Sequence, residues 1–131
     1  ASGLLINEIA PRTHNSAHFS IEACSSSQFD QYVCISSGIT PPEIKMNCEG
    51  AIMINLLGLK KNFPTSIERR VKMLSEISGS NLHLYGKSRE IQGRKMAHIT
   101  FLLKDKTHIE RYEESKKILT KVRDIWPSPN A

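Results

Sequence analysis

Residues 81–103 read "NLHLYGKSREIQGRKMAHITFLL", and this stretch decides the fold. Its opening, 81–87, alternates in strand fashion, with Leu82 and Leu84 facing one way and His83 and Tyr85 the other. Its end, "MAHITFLL" at 96–103, reads as a second strand. The polar "SREIQGR" between them joins the two as a hairpin. Upstream, "AIMINLLG" at 51–58 is an apolar run of strand length stopped by Gly58, suited to a buried sheet.

Helices flank these strands. In "PTSIERRVKMLSEISG", Thr65 and Glu68 have capping-box spacing, Ile67, Val71, Leu74 and Ile77 share one face, and Gly79 supplies the stop. Thr107 and Glu110 repeat the box before a last charged helix that ends at Trp126 and Pro127. Nearer the N-terminus, "LLINEIA" at 4–10 reads as a strand closed by Pro11. A helical tract follows, with Asn15 or Ser16 as cap and Phe19, Ala23, Phe29, Tyr32, Val33 and Ile35 as apolar contacts. "SSSQ" at 25–28 is placed to split that tract. Gly38 and Pro41–Pro42 end it and mark the boundary between structural units.

A chain of 131 residues with 39% hydrophobic and 24% charged content is one ordinary domain in size, with no sign of disorder. No apolar run approaches the roughly 20 residues that span a bilayer, and no signal-peptide pattern opens the sequence. We therefore expect a cytoplasmic protein. The sequence begins without methionine and runs at once into a strand, which suggests a piece of a longer chain. Cys24, Cys34 and Cys48 show no paired spacing, which fits free thiols in a reducing compartment, with Cys24 and Cys34 as small buried residues of a helix. The net charge of +5 is uneven: residues 1–60 hold three basic and five acidic side chains, residues 61–131 fifteen and eight. Such a balance suits a nucleic-acid surface, a phosphate site or simply a solvated helix face.

Two polar clusters stand out. In "NEIAPRTHNSAH" at 7–18, strand alternation sends one of Asn7 and Glu8 outward. A carboxylate and an amide can hold a divalent cation through oxygen, beside an arginine and a histidine, Arg12 and His14, that meet an anion. The alternative is a polar loop in which Asn15 caps a helix and Arg12 pairs with Glu8. In the second cluster Lys87, Arg89, Arg94, Lys95 and His98 surround the hairpin turn. Five cationic groups in twelve residues repel one another unless water or an anion screens them, so a phosphate site or an exposed basic hairpin is indicated. His18, His83 and His108 lack ligand spacing and read as structural or surface residues. There is no Walker loop and no G-x-G-x-x-G.

Together "INEIAPRTHNSAHFSIEACSSSQF", "AIMINLLG" and "LYGKSREIQGRKMAHITF" resemble the C-terminal portion of the 5-(carboxyamino)imidazole ribonucleotide synthase family within the ATP-grasp superfamily. The resemblance implies an α+β unit. Residues 1–40 would be the end of an ATP-grasp catalytic domain, and residues 41–131 a small barrel-like (rudiment single hybrid motif) sheet domain with flanking helices. It also implies a reaction in which ATP and bicarbonate give carboxyphosphate, which carboxylates 5-aminoimidazole ribonucleotide. On the matching positions, Asn7 and Glu8 belong to the ATP and Mg²⁺ site, with Glu8 as metal ligand. Arg12 and His14 belong to the bicarbonate and ribonucleotide site as catalytic and substrate-binding residues, and Lys87, Arg94 and Lys95 hold the ribonucleotide phosphate. The partners are then small molecules, with no nucleic acid and no membrane, and the full-length enzyme is a homodimer.

The nucleotide lid, its lysines and a second metal-binding glutamate lie upstream of these motifs in the family, so the chain alone is expected not to turn over ATP. The family commonly reads "HNSGH" and "RKMGH", where this chain has Ala17 and Ala97, and alanine is strained if the backbone there is left-handed. Two other readings compete: a basic nucleic-acid-binding module and a non-catalytic interaction domain, the latter placing the two clusters far apart.

Overall fold

The computed structural model describes residues 3, 5, 6, 8–104 and 107–129. Three antiparallel strands form the sheet: β1 (Gly50–Leu57), β2 (Asn81–Leu84) and β3 (Lys95–Leu103), in the order β1-β3-β2. The hairpin read from residues 81–103 is thus β2–β3, with β1 on the other side of β3. Because β3 is central, six consecutive residues from Met96 to Phe101 are buried.

The register sorts the side chains by face. Ile54 and Leu82 both lie opposite Ile99, and Leu56 and Leu84 both lie opposite Ala97. This apolar face packs on α3 (Ile67–Ser75) and α4 (His108–Ile125), where Leu74, Val122 and Trp126 are fully buried and Ile67, Val71 and Ile77 pack against them. Ile67, Val71, Leu74 and Ile77 therefore share the face their spacing predicts. The cap is one residue later than expected: Ser66, not Thr65, accepts from the Arg69 N–H. Thr107 and Glu110 do close a capping box on α4, and the Trp126 indole N–H ends that helix by donating to the Leu57 carbonyl at 2.6 Å.

The other face of β3 is polar. His98 lies between His83 and Asn55 across the strands, and Thr100 lies opposite Asn81 and Met53. The N-terminal segment covers this face. It contains a 3-10 turn at Asn15–Ala17, the single-turn α1 (Ser20–Ala23) and α2 (Gln28–Ser36). The tract does split where "SSSQ" stands, because Ser27 caps α2 reciprocally with Asp30. The Ser27 hydroxyl and then its N–H, both donating to the Asp30 carboxylate, hold that group below its ordinary pKa.

Several expectations are corrected. The described residues of 4–10 form no strand, and Leu5, Ile6 and Ile9 are exposed, since none of the three strands runs alongside to satisfy their backbone groups. His14, not Asn15 or Ser16, caps the first turn. Phe29, Tyr32, Val33 and Ile35 are exposed rather than core residues, because α2 stands outside the sheet. Cys24 and Cys34 are free as expected but only partly buried. Neither Ala17 nor Ala97 has positive φ, so neither is strained. Among the described residues no helix is long and apolar enough to cross a membrane.

Candidate functional site

The turn after Arg12 is built by one amide. Gln28, at the start of α2, accepts the His14 N–H through Oε1 at 2.7 Å and donates through Nε2 to the His14 carbonyl at 2.9 Å. Both polar groups of the His14 backbone are thus fixed. The same Nε2 lies 2.6 Å from His18 Nδ1, so His18 accepts there and carries its proton on Nε2. Ser20 completes the turn: its Oγ donates to the Ala17 carbonyl at 2.6 Å and accepts from the Gln28 N–H at 3.0 Å. The His14 ring accepts the Ser16 N–H at Nδ1, and Nε2 faces the Glu8 carboxylate at 3.1 Å. Glu8 therefore pairs with His14. Arg12 does not take that place; its Nη1 donates to the Thr13 carbonyl.

Below this turn lies the polar face of the sheet. His83 stacks on His98 with ring centroids 4.6 Å apart and planes 11° apart, and His18 lies 5.0 Å from His98. Glu22 of α1 ion-pairs with His83 and ties the helix to β2. Tyr85 Oη lies 2.8 Å from His98 Nδ1, and burial raises the Tyr85 pKa. Burial, then the charges of His83 and His18, lowers the His98 pKa to about 4. His98 is therefore a neutral buried ring, not one cation of an exposed basic hairpin. The His18 pKa is lowered too, first by burial and then by Lys95, His83 and His14.

These contacts show which of the two clusters' residues meet. His18 lies 5.0 Å from His98 and 6.3 Å from Tyr85 between ring centroids, and Glu22 pairs with His83. Arg12 lines a shallow recess with Gln28, Gln31, Tyr32, Ile35 and Ile44. Lys87 lines an apolar groove beside α3, with Ile67, Glu68, Val71, Leu84 and Met96. Arg94 and Lys95 are exposed at the entry to β3. Asn7 lies outside the described residues. Among the described residues no group of three or more His, Cys, Asp or Glu side chains is arranged to hold a metal ion on its own.

Comparison with known proteins agrees with the motifs. Residues 51–112 match the phosphoribosylaminoimidazole carboxylase C-terminal domain, and residues 1–29 match the ATP-grasp domain. An N5-carboxyaminoimidazole ribonucleotide synthase of Synechococcus elongatus is 39% identical over 97% of the chain. The chain corresponds to the C-terminal part of proteins named N5-carboxyaminoimidazole ribonucleotide synthase. It spans 32% of the length of that relative. In structure it resembles the Staphylococcus aureus N5-carboxyaminoimidazole synthetase, with a TM-score of 0.71 and 36% identity over 89% of this chain and 29% of that one. It also resembles the Aspergillus clavatus synthase solved with ADP and 5-aminoimidazole ribonucleotide, with a TM-score of 0.67 and 28% identity over 85% of this chain and 29% of that one.

For a synthase segment, the parts that sequence reasoning overlooked are the ones that support its charged groups. Gln28, Tyr85 and Glu22 do this work; all three lie within the quoted stretches, but none was singled out there as a site residue. The alternation in residues 81–87 did put His83 and Tyr85 on one face, and "MAHIT" put His98 on the neighbouring strand. Pairing the two strands in register would have exposed the cluster.

Proposed function

We propose that this chain forms one wall of the catalytic cleft of an enzyme that carboxylates 5-aminoimidazole ribonucleotide with ATP and bicarbonate by way of carboxyphosphate. The observation that carries this reading is the meeting of two polar segments some seventy residues apart. His18 of the first lies 5.0 Å from His98 and 6.3 Å from Tyr85 of the second, ring centroid to ring centroid, and Glu22 ion-pairs with His83. A non-catalytic interaction domain gives no reason to bury a polar face in order to hold two charged edges together.

In this reading residues 1–40 end the ATP-grasp catalytic domain, and residues 41–131 are the C-terminal sheet domain, whose three strands take a barrel-like arrangement within the whole enzyme. Arg12 and His14 meet the bicarbonate and the ribonucleotide, while Lys87, Arg94 and Lys95 hold its phosphate by fork and point-charge contacts. Glu8, with Asn7, faces the nucleotide. The side chain of Glu8 is 58% exposed, so its carboxylate stays open to further contacts. That fits Mg²⁺, which commonly takes one or two carboxylates and completes its shell with water and phosphate oxygens. When bound, the ion would neutralise charge on the transferring phosphoryl group. Since Glu8 alone is too small a donor set, the 131-residue chain by itself does not turn over ATP. We place the whole enzyme in the cytoplasm as a homodimer without a nucleic-acid partner.

The test is phosphate release by the full-length protein that carries this segment, with ATP, bicarbonate and 5-aminoimidazole ribonucleotide. Release that requires all three, and falls at least a hundredfold in Arg12→Ala, supports the assignment. Release independent of the ribonucleotide, or turnover by the isolated chain, contradicts it. Binding of DNA or RNA that weakens steeply with salt would favour the basic-module reading instead.

A further inference from the structure

The hairpin connection, residues 85–94, carries Lys87 and Arg94 and has no regular structure of its own, yet it is held at several points. Its anchor is Arg70 of α3. Only 1% of Arg70 is exposed, although its neighbours on the helix face, Ile67, Val71 and Leu74, belong to the apolar core. The guanidinium carbon lies 4.1 Å from the Trp126 ring centroid and 5.4 Å from that of Phe63, an aromatic clamp that tolerates the cation by its ring charge distribution. Nε donates to the Thr65 carbonyl at 3.2 Å, and Nη2 donates to Glu90 Oε2 at 2.6 Å.

Glu90 sits midway along the connection and uses both oxygens. Oε2 takes Arg70, and Oε1 accepts the Leu59 N–H at 2.8 Å. Four residues on, the connection is zipped to the end of β1. The Gly93 N–H donates to the Gly58 carbonyl at 2.9 Å, and the Gly58 N–H donates to the Arg94 carbonyl at 2.7 Å. The backbone of Arg94 is therefore fixed by a chain of contacts that begins in the core. A buried ion pair is an expensive way to gain stability alone, because desolvation offsets much of the attraction. Its distinctive property here is direction: it ties a loop bearing exposed cations to the rigid α3–α4 layer.

We propose that Arg70 and Glu90 are positioning residues for phosphate recognition, setting the connection so that Arg94 and Lys87 are presented to an anionic phosphate ester before it arrives. Neither residue touches the ligand. The proposal rests on the assignment of Arg94 and Lys87 to the ribonucleotide phosphate. It adds that the affinity for that group is governed by a pair on the far side of the connection.

The experiment uses the full-length protein that carries this segment, with Glu90→Gln as the principal variant. Glutamine keeps the size and an oxygen for the Leu59 N–H but removes the charge that holds Arg70. The expected result is a rise of roughly tenfold in KM for 5-aminoimidazole ribonucleotide, with KM for ATP unchanged within about twofold. Faster hydrogen exchange in the peptide covering residues 86–95, with β1 and β3 still protected, is expected alongside. Unchanged KM for the ribonucleotide overturns the proposal, and so does an equal change for both substrates, which would mean a merely structural pair. Arg94→Ala separates the two levels. If it leaves the ribonucleotide KM unaltered, the phosphate assignment itself falls. If it raises that KM while Glu90→Gln does not, only the positioning role falls.

Discussion

Tyr85 Oη lies 2.8 Å from Nδ1 of His98, and among the described residues the buried histidine has no hydrogen-bond partner at Nε2. Charging the ring would bury a cation beside His83 and His18. Folded His98 stays neutral down to about pH 4, whereas an unfolded histidine protonates near 6.5. Between these values the unfolded chain binds the additional proton, so stability falls as pH drops through the window and this contribution levels off below about 4. His18, lowered in the same direction, adds to the slope. Asp30, whose carboxyl is held low, weakens the fold only at still lower pH. We expect a loss on the order of 2–3 kcal/mol from pH 7 to 4, visible in thermal unfolding midpoints. His98→Asn should flatten most of it. Equal slopes in the two proteins would contradict the assignment.

Among the described glycines, Gly58 lies closest to neighbouring backbone. A Cβ there would meet the Ile91 carbonyl oxygen at 2.1 Å and its carbon at 2.8 Å. Both are backbone atoms of the connection that Glu90 anchors, so neither can rotate aside as a side chain would. Gly58→Ala should displace the connection and cost about 1–3 kcal/mol, as overpacking does. Urea unfolding measures it, and a midpoint within error of the parent would show that the connection yields freely.

Trp126 ends α4 and roofs Arg70, and its indole N–H is a second tie to β1. Trp126→Phe keeps an aromatic ring over the guanidinium but leaves the Leu57 carbonyl without that donor. The expected cost is about 1–2 kcal/mol. Trp126→Ala removes the ring as well and should cost about 3–5 kcal/mol. Denaturant titration of the two variants separates the hydrogen bond from the packing.

The hairpin, β1 and the two long helices were legible because each is written in a local period: two in residues 81–85, and three to four in Ile67, Val71, Leu74 and Ile77. Arg70 was not legible by the same logic. It lies on that apolar stripe, three residues after Ile67 and four before Leu74, where a charged residue signals a buried partner. That partner, Glu90, is twenty residues away and announced by no pattern. The N-terminal run failed for the opposite reason. Its apolar residues satisfy a strand pattern, but a strand is a pairing, and no strand of the described chain lies beside it. The cap of α3 slipped by one residue because Thr65 and Ser66 both offer a hydroxyl, and only backbone geometry chooses between them.

Ala97 makes the last prediction. The resemblance to the synthase family led us to expect glycine at this position and at Ala17, which raised the question of strain in this chain. With no positive φ at either residue, the β-carbons are tolerated, and at Ala97 the methyl is fully buried on the face shared with Leu56 and Leu84. Ala97→Gly would remove a buried methyl worth about 0.8 kcal/mol and add the backbone freedom of glycine within a strand, about 0.5–1 kcal/mol more. The sum predicts a loss of about 1–2 kcal/mol. Ala17 is half-buried in a 3-10 turn with no strand ladder to weaken, so Ala17→Gly should cost less. Urea midpoints of the two single variants and the double variant test the ranking. A glycine variant more stable than the parent at either site would mean that the backbone there prefers a conformation alanine resists.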